Sequence, residues 1–302
     1  MKSITHLDVL VVYSADHALS ASVADAISAK VVELSIETHG KPPVDFAFMV
    51  MGSEGRQEQT LKTDQDNAII FEDSQGRADV KDYFISLGKT ISKNLNAIGY
   101  NLCEGEIMAS NPKWCNSLSD WQNQFSIWIA SPDAQHVLDS NIFFDFRCVY
   151  GNGQLTEALR NHINVLLQHN DLFFFHLANS IIKYKPDLVE EFYDLKKIIL
   201  PLIGYLRFYA LRHQINQTNS MERLTLLSEK QVINEQNSIN LRQTYNFLMQ
   251  LRLTNQSQAL LDQENAENTI HQNQLSNLEK ICLKKAMDDL TSLQTHLSLE
   301  FK

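Results

Sequence analysis

The chain has 302 residues, a length that suggests two domains or one large domain. Hydrophobic residues make up 44% and charged residues 21%, which excludes a chain that is disordered throughout. Lys and Arg total 26 against 36 Asp and Glu, and the formal net charge of −10 argues against broad binding of nucleic acid or of an acidic membrane surface.

The four cysteines lie far apart and have neither the spacing of a zinc site nor that of a disulfide framework. We expect Cys103, Cys115, Cys148 and Cys282 to be small buried side chains, as suits a reducing compartment. No apolar run approaches the roughly 20 residues that span a bilayer, and the first residues lack the features of a secretory signal. We therefore expect a soluble, cytoplasmic protein without a membrane partner.

The N-terminal segment, residues 1–44, has the periodicity of a helix. Apolar residues recur every three or four positions from residue 14 to about residue 39, followed by the stop signal of Gly40 and Pro42. These apolar residues are Val23, Ile27, Val31 and Leu34. We expect this stripe to pack against the segment that follows.

Residues 45–153 change to the short apolar runs of buried strands. We predict strands over 45–51 and 67–71, each apolar on both faces and therefore covered on both sides. A helix is predicted over 80–95 and a third strand over 101–108. This order of elements indicates a small α/β unit.

Residues 154–302 have helical periodicity throughout, and the last segment has the clearest pattern. Its predicted apolar seam consists of Leu275, Leu278, Cys282, Ala286, Leu290, Leu293 and Leu297. A seam of this kind is typical of a helix in an antiparallel bundle.

The turn after the first predicted strand and the entry to the second carry the candidate chemistry. The strand ends in Gly52-Ser53, where the missing glycine Cβ lets the backbone come close to a ligand. A helix starting there would favour an anion at its N-terminus. Asp64 and Asp66 stand at the mouth of the second strand, two residues apart and therefore on one face.

Two carboxylates so placed are costly to ionise together without a cation between them. Oxygen ligands of this type suit Mg²⁺, and two such ions about 4 Å apart can clamp the attacking and leaving oxygens of an in-line displacement. Arg56, one helical turn after Gly52, offers a fork of donors to phosphate. The pattern therefore predicts phosphoryl or nucleotidyl transfer with two Mg²⁺ ions.

Each part of this pattern also has a simpler interpretation. Gly-Ser is a common turn, and an isolated Asp-x-Asp is often a solvated strand end. Arg56, Glu58 and Lys62 have the spacing of an exposed ion-pair ladder. A calcium loop is disfavoured because Ala68 occupies the third ligand position. All the parts in order between two buried strands favour the functional interpretation.

Gly-Ser, a short helix and Asp-x-Asp together resemble the signature of the DNA polymerase β nucleotidyltransferase superfamily. The fuller string GSEGRQEQTLKTDQDNAII is similar, more narrowly, to nucleotidyltransferases related to the nitrogen-regulatory protein uridylyltransferase, which are often fused to cyclic-nucleotide-binding and CBS domains. Further landmarks cover nearly the whole chain: Gly99-Tyr100, Cys103-x-Gly105, MASNPKW from Met108 to Trp114, FDFR from Phe144 to Arg147, SMERL from Ser220 to Leu224, and Leu251-Arg252.

The resemblance implies an α+β fold in three parts. A helical segment, residues 1–44, would precede a small mixed-sheet catalytic domain at 45–153. An all-α helical bundle at 154–302 would then form the substrate-binding domain.

The resemblance also assigns roles to residues. Gly52 and Ser53 would hold the β- and γ-phosphates of the nucleotide, with Arg56 and Lys62 as further nucleotide-binding candidates. Asp64 and Asp66 would bind the metal ions and act in catalysis. A third catalytic carboxylate usually comes from a neighbouring strand, and the candidates are Glu104 and Glu106. Asp145 lies within a matching motif, where pairing with Arg147 or with a neighbouring helix is the favoured role.

Aromatic and basic residues outside this segment have two interpretations each. Trp114, Trp121 and Trp128 would line a base pocket or form the buried stripe of a helix, and their seven-residue spacing favours the stripe. Arg223 and Arg252 would face the cleft or form ordinary ion pairs.

The sequence predicts a Mg²⁺-dependent nucleotidyltransferase of adenylyl or uridylyl type, which moves a nucleoside monophosphate from a nucleoside triphosphate to a hydroxyl. The candidate partners are a protein acceptor and a regulatory partner chain. The alternatives are a catalytically inactive nucleotide-binding signalling module and, less favoured, a small-molecule transferase of the antibiotic-modifying kind.

Overall fold

The computed structural model describes residues 6–61, 64–74, 77–130, 141–184 and 191–301, and the side chains among them other than those of residues 6–20 and 77. The chain divides into two compact units. The α/β unit comprises Asp16–Gln59 and Thr63–His169, and the helical unit comprises Met1–Ala15, Thr60–Lys62 and Asn170–Lys302.

The elements before residue 170 are, in chain order, α1 (His6–His39), β1 (Phe46–Val50), α2 (Gly52–Gly55), β2 (Asn67–Phe71), α3 (Arg77–Ala97), β3 (Cys115–Ser117), α4 (Leu118–Ala130), β4 (Arg147–Gly151) and α5 (Gly153–Leu167). Short 3₁₀ turns precede β3 and β4. The predicted strands over 45–51 and 67–71 and the predicted helices are confirmed.

The sheet of the α/β unit is mixed, as predicted, with strand order β3-β2-β1-β4. β1 pairs antiparallel with β2 and β4, while β2 and β3 are parallel. In the β1–β2 register Phe46 lies opposite Phe71 and Val50 lies opposite Asn67. The end of β1 and the start of β2 therefore meet at the same end of the sheet.

Both faces of the two central strands are covered, because every residue of β1 and β2 is buried. On one face Phe46, Phe71 and Phe84 form an aromatic core between the sheet and α3, with the rings of Phe71 and Phe84 stacked at 4.8 Å. Each fully buried Phe contributes roughly 1.5–3 kcal/mol relative to an exposed one. This packing holds the strand ends that carry the candidate site.

The strand predicted over 101–108 is wrong. In this segment Asn101 forms an isolated parallel bridge with Asp64, and the chain then turns. The Glu106 N–H donates to the Cys103 carbonyl oxygen at 3.0 Å, and Glu106 has a φ of +54°. A left-handed residue cannot continue a strand, and β3 begins only at Cys115.

The buried face of α1 differs from the predicted stripe. Val23 and Leu34 are 50% and 45% exposed, whereas Val31 and Val32 are buried. Small residues complete the buried face: Ala21, Ala24, Ser28 and Ser35. The error arose because small residues, which allow close packing, were not counted in the apolar pattern.

The helical unit contains, in chain order, α6 (Asp171–Lys183), β5 (Phe192–Asp194), α7 (Leu195–Arg212), α8 (Ser220–Glu229), α9 (Glu235–Leu261), β6 (Thr269–His271) and α10 (Asn277–Glu300). Most of α7 is buried, and α6, α8, α9 and α10 pack around it. The two-stranded ribbon of β5 and β6 departs from the predicted all-α architecture.

The last helix follows its predicted seam in part. Ser276 and Glu279 cap its N-terminus reciprocally, and the buried residues are Leu283, Ala286, Met287, Leu290, Leu293 and Leu297. Leu275 is buried just before the helix, as predicted, but Leu278 is 69% exposed and Cys282 is only partly buried, so the buried seam within the helix begins at Leu283.

The four cysteines are free, as predicted, although Cys103, Cys148 and Cys282 are only partly buried. Within the described ranges no helix combines the length and the hydrophobicity that a bilayer crossing requires.

Candidate functional site

The turn after β1 lies against the residue that precedes β2. The Met51 N–H donates to the Asp66 carbonyl oxygen at 2.8 Å, so the antiparallel pairing continues beyond the two strands. Gly52 then turns the chain with a φ of +59°, a left-handed conformation that glycine adopts readily. The turn begins α2, a single helical turn that places the half-buried Ser53 beside Gly52.

Gly52 and Asp66, predicted to act at one site, are direct neighbours. A Cβ added to Gly52 would lie 3.1 Å from Asp66 Oδ2 and 3.0 Å from two side-chain carbons of Ile142. These distances are tighter than ordinary van der Waals contact, so a larger residue at position 52 would displace a neighbour. The structure therefore brings together the glycine of the predicted phosphate site and one of the predicted metal-binding carboxylates.

The Asp64 and Asp66 carboxylates converge with the thiol of Cys103. One ligand atom from each of the three residues lies within 4.8 Å of the other two. Asp66 is buried, whereas Asp64 and Cys103 are partly exposed. Two carboxylate oxygens and a sulfur within this distance fit a divalent cation, which neutralises the two acids.

The loop that carries Cys103 is fixed by the residues on either side of Asp66. The Gln65 N–H donates to the Asn101 carbonyl oxygen at 2.9 Å, and the Asn67 N–H donates to the Ile107 carbonyl oxygen at 3.1 Å. The loop is thus attached to the entry of β2 both before and after Cys103, which sets the position of the thiol relative to the carboxylates.

The sequence did not predict that Cys103 lies beside the two carboxylates, because all four cysteines were expected to be small buried side chains. Burial, with a smaller contribution from the Asp66 carboxylate, raises the pKa of the Cys103 thiol to about 11. Without a bound cation the thiol is therefore protonated at neutral pH. The available signal was the motif Cys103-x-Gly105 among the family landmarks.

Glu104 and Glu106 do not share a strand face, because the strand predicted there is a turn. Both side chains are exposed, and the ligand-atom cluster that contains Asp64 and Asp66 includes neither of them. The geometric reason for choosing them as a third catalytic carboxylate is therefore lost.

Arg56 is buried in a network of ion pairs rather than exposed in a ladder. Its Nε donates to Glu58 Oε2 at 2.7 Å, and its Nη1 donates to Asp145 Oδ2 at 2.8 Å. Burial acts to lower the pKa of the Arg56 guanidinium, but the two carboxylates outweigh it and the pKa is raised. These contacts join the residues after α2 to the 3₁₀ turn that precedes β4.

Gly55 makes this junction close-packed. A Cβ added to Gly55 would lie 1.8 Å from the Asp145 carbonyl oxygen, so only glycine fits against this backbone. The ion-pair partner of Asp145 is Arg56. The pairing with Arg147 that its motif suggested is not the one observed. Arg147 instead binds Asp25 through two hydrogen bonds of 2.8 and 2.7 Å.

Glu54 is a buried acid close to the carboxylate cluster, and Ser28 Oγ donates to its Oε1 at 3.4 Å. Burial raises the pKa of Glu54 to about 8, and the nearby Asp25 and Asp66 carboxylates add to this effect. Arg147 and Ser28 act in the opposite direction. Glu54 is therefore largely protonated at neutral pH.

We expect Glu54→Gln to stabilise the metal-free protein at alkaline pH. Below pH 4.5, the ordinary pKa of a glutamate, Glu54 is protonated in both the folded and the unfolded protein. Between pH 4.5 and pH 8 Glu54 is ionised in the unfolded protein but still protonated in the folded one, so the free energy of unfolding of the parent decreases as the pH rises. At pH 8.5 the variant should exceed the parent by several kcal/mol, since one pKa unit corresponds to about 1.4 kcal/mol. Urea unfolding in chelator at pH 5 and pH 8.5 measures the difference.

The control for this experiment is Glu37→Gln, on an exposed position of α1, which should show no such pH dependence. A Glu54→Gln effect of the same size at both pH values would contradict the assignment of Glu54 as a neutral buried acid.

The remaining nucleotide-binding candidate, Lys62, lies outside the described residues. Of the tryptophans, Trp121 and Trp128 form the buried face of α4, and Trp114 joins them around Phe143 at ring distances of 4.5–6.0 Å. The Trp121 indole N–H donates to the Ile69 carbonyl oxygen at 3.0 Å. Packing is therefore the role that the structure supports for this stripe.

Arg223 and Arg252 are buried within the helical unit. Arg223 Nε donates to the Gln217 carbonyl oxygen at 2.7 Å, and Arg252 Nε donates to Asn268 Oδ1 at the same distance. Both arginines thus connect a helix to a loop through hydrogen bonds. This differs from the surface ion pairs that were one of the two interpretations of the sequence.

Comparison with known proteins places both parts of the chain. Residues 11–135 match a family model described as "Putative nucleotidyltransferase DUF294". Residues 184–301 match a second model, described as "Putative nucleotidyltransferase substrate binding domain". No curated protein sequence gives a significant match. The two matches agree with the family that the motifs resemble.

Proposed function

The chain belongs to the nucleotidyltransferase family that these two models describe, and on that premise we propose that it is a Mg²⁺-dependent transferase. It would move a nucleoside monophosphate from a nucleoside triphosphate to a hydroxyl. The hydroxyl oxygen attacks the α-phosphorus and loses its proton, the bond from that phosphorus to the β-phosphate oxygen breaks, and pyrophosphate leaves.

The observation that carries this proposal is the convergence of Asp64 and Asp66 beside the Gly52 turn. In this proposal the two carboxylates hold the cation, while the Gly52-Ser53 backbone and the Ser53 hydroxyl hold the β- and γ-phosphates. A divalent cation bound there supplies positive charge to the phosphate oxygens as the transfer proceeds. Gly52 has no Cβ, which leaves the Asp66 carboxylate open to the cation.

We leave three predicted residues out of the proposed site. The described contacts of Arg56 are with Glu58 and Asp145, so we propose a structural role for it. Glu104 and Glu106 are exposed on a turn and have no geometric relation to the carboxylate pair that supports a catalytic role.

The acceptor and the nucleotide are finer parts of the proposal. The name of the second family model supports the helical unit as the part that binds substrate. The resemblance to the nitrogen-regulatory uridylyltransferase supports a hydroxyl on a regulatory protein as acceptor, with an adenylyl or uridylyl group transferred.

One observation favours a second candidate, a nucleotide-binding signalling module that does not catalyse. The third side chain of the cluster is a thiol, where transferases of the polymerase β superfamily commonly have a carboxylate. A module of this kind binds nucleotide with a cation but releases no pyrophosphate.

Calorimetric titration with each nucleoside triphosphate, with and without Mg²⁺, tests the proposal when pyrophosphate is followed in the same samples. We expect binding that needs the cation and is weakened by Asp64→Asn, together with pyrophosphate release in the presence of acceptor proteins. Binding without pyrophosphate under all these conditions would favour the signalling module. Failure to bind any nucleotide would contradict both candidates.

A further inference from the structure

The described part of the chain contains one group of three potential metal ligands with closely spaced ligand atoms, and it is not all-oxygen. It consists of the carboxylates of Asp64 and Asp66 and the thiol of Cys103, within 4.8 Å of one another. The nearby acids Glu104 and Glu106, which would supply a third oxygen, are exposed and lie outside the group. The sulfur therefore occupies the third position of a compact donor set.

The position of the sulfur is determined by its surroundings. The thiol interacts with the Asp66 carboxylate and with the backbone N–H groups of Gly105 and Ile107. The loop is also fixed beyond this point, because the Ala109 N–H donates to Asn67 Oδ1 at 2.8 Å. Hydrogen bonds to a ligand atom and a fixed loop are the features that orient metal ligands in proteins.

We propose that Cys103 is a third protein ligand of the cation at Asp64 and Asp66 and raises the affinity of the site for cations softer than Mg²⁺. The inference rests on the proposed function in one respect, that a cation binds to the two carboxylates. On binding, a metal–sulfur bond replaces the S–H bond, and the thiol proton passes to solvent.

If Cys103 is a ligand, the affinities for hard and for soft cations should respond differently to its removal. Mg²⁺ takes oxygen ligands, whereas thiolate favours metals such as Zn²⁺, and Co²⁺ and Cd²⁺ serve as spectroscopic probes of the same preference. Removing the sulfur should therefore weaken the binding of Co²⁺ and Cd²⁺ and leave the binding of Mg²⁺ nearly unchanged. A residue that only packed beside the site would affect all the cations alike.

Titration of the nucleotide-free chain with Co²⁺ and with Cd²⁺, followed by near-ultraviolet absorption, tests the inference. We expect the charge-transfer band of a metal–thiolate bond in the parent and in the control Cys148→Ser, whose cysteine lies on β4 outside the cluster. Cys103→Ser should lose the band. Its affinity for Co²⁺ should also fall. Loss of a residue that only supports a metal ligand costs roughly 10–100-fold in affinity, and loss of the ligand itself should cost at least that much.

Two further variants keep the outcome decisive. Cys103→Asp replaces the thiol with a carboxylate and should lose the band while still binding Mg²⁺. Asp66→Asn should weaken the binding of every cation. A band that persists in Cys103→Ser, or binding that depends on Asp66 without any band, would overturn the assignment of Cys103 and leave the proposed function standing. Failure of Co²⁺ and Cd²⁺ to bind would also overturn the assignment of Cys103 as a ligand. The proposed function is tested separately, by the titration with nucleoside triphosphates.

Discussion

Asp66→Asn is expected to abolish cation-dependent nucleotidyl transfer while leaving the fold intact. Loss of one carboxylate from the proposed cation site should remove several kcal/mol of transition-state stabilisation, and each 1.36 kcal/mol corresponds to about a tenfold change in rate. Pyrophosphate release should therefore fall by roughly 10²–10⁴-fold. It is measured at saturating nucleotide with Mg²⁺ present.

The fold should survive because the charge of Asp66 disfavours a neighbouring ionised group and its backbone contact does not depend on the side chain. Its negative charge acts against ionisation of the neighbouring buried Glu54 and raises the pKa of the Cys103 thiol. Its structural contact with Met51 uses the backbone carbonyl, which Asn retains. We therefore expect the Tm in chelator to equal or exceed that of the parent, and the rise in Tm on adding cation to disappear.

The matched control is Glu72→Gln, at the other end of β2, where the carboxylate is exposed. It removes one negative charge from the same strand and should alter neither transfer nor the cation-dependent rise in Tm. Substantial transfer by Asp66→Asn, or an equal loss in Glu72→Gln, would contradict the role of Asp66.

The sequence was sufficient to predict which two strand ends come together at the candidate site. Apolar runs of strand length predicted β1 and β2, and antiparallel pairing of these strands brings Gly52 and Asp66 together. This part of the site depends on local pattern and on one pairing between sequence neighbours. Such features are encoded within a few residues of the site itself.

The third side chain of the ligand-atom cluster, that of Cys103, could not be predicted in the same way. The segment 101–108 is predicted as a strand from its place after Gly99-Tyr100, but Gly105 and the left-handed Glu106 form a turn that presents Cys103. Turn geometry that depends on a non-glycine residue with positive φ is rare, so a pattern of residue types gives little warning of it.

The ion pairs of Arg56 could not be predicted from the sequence either, because its partner Asp145 is 89 residues away in the chain. An arginine near a predicted phosphate site satisfies the same local pattern whether it contacts phosphate or a buried acid. Only the tertiary fold decides, and here it places a fully buried aspartate against the guanidinium.

Arg56→Met is expected to be the most destabilising of the substitutions considered. Both carboxylates that contact Arg56 are buried, with side-chain exposures of 4% for Glu58 and 0% for Asp145. Arg56→Met removes the guanidinium from two buried carboxylates, and breaking one buried pair alone costs about 3–5 kcal/mol. A protein unit of this size loses about 2–4 °C in Tm for each kcal/mol, which thermal unfolding at pH 7 would detect.

Two comparisons show whether uncompensated charge causes this loss. Lys30→Met breaks the exposed pair with Glu33, at 58% and 48% exposure, and should leave the stability nearly unchanged. Combining Arg56→Met with Glu58→Gln and Asp145→Asn also removes the charges of both carboxylates that Arg56 contacts, so part of the stability should return. If the triple variant is no more stable than Arg56→Met alone, lost packing of the arginine stem is the cause, and the ion-pair network does not hold α2 in place.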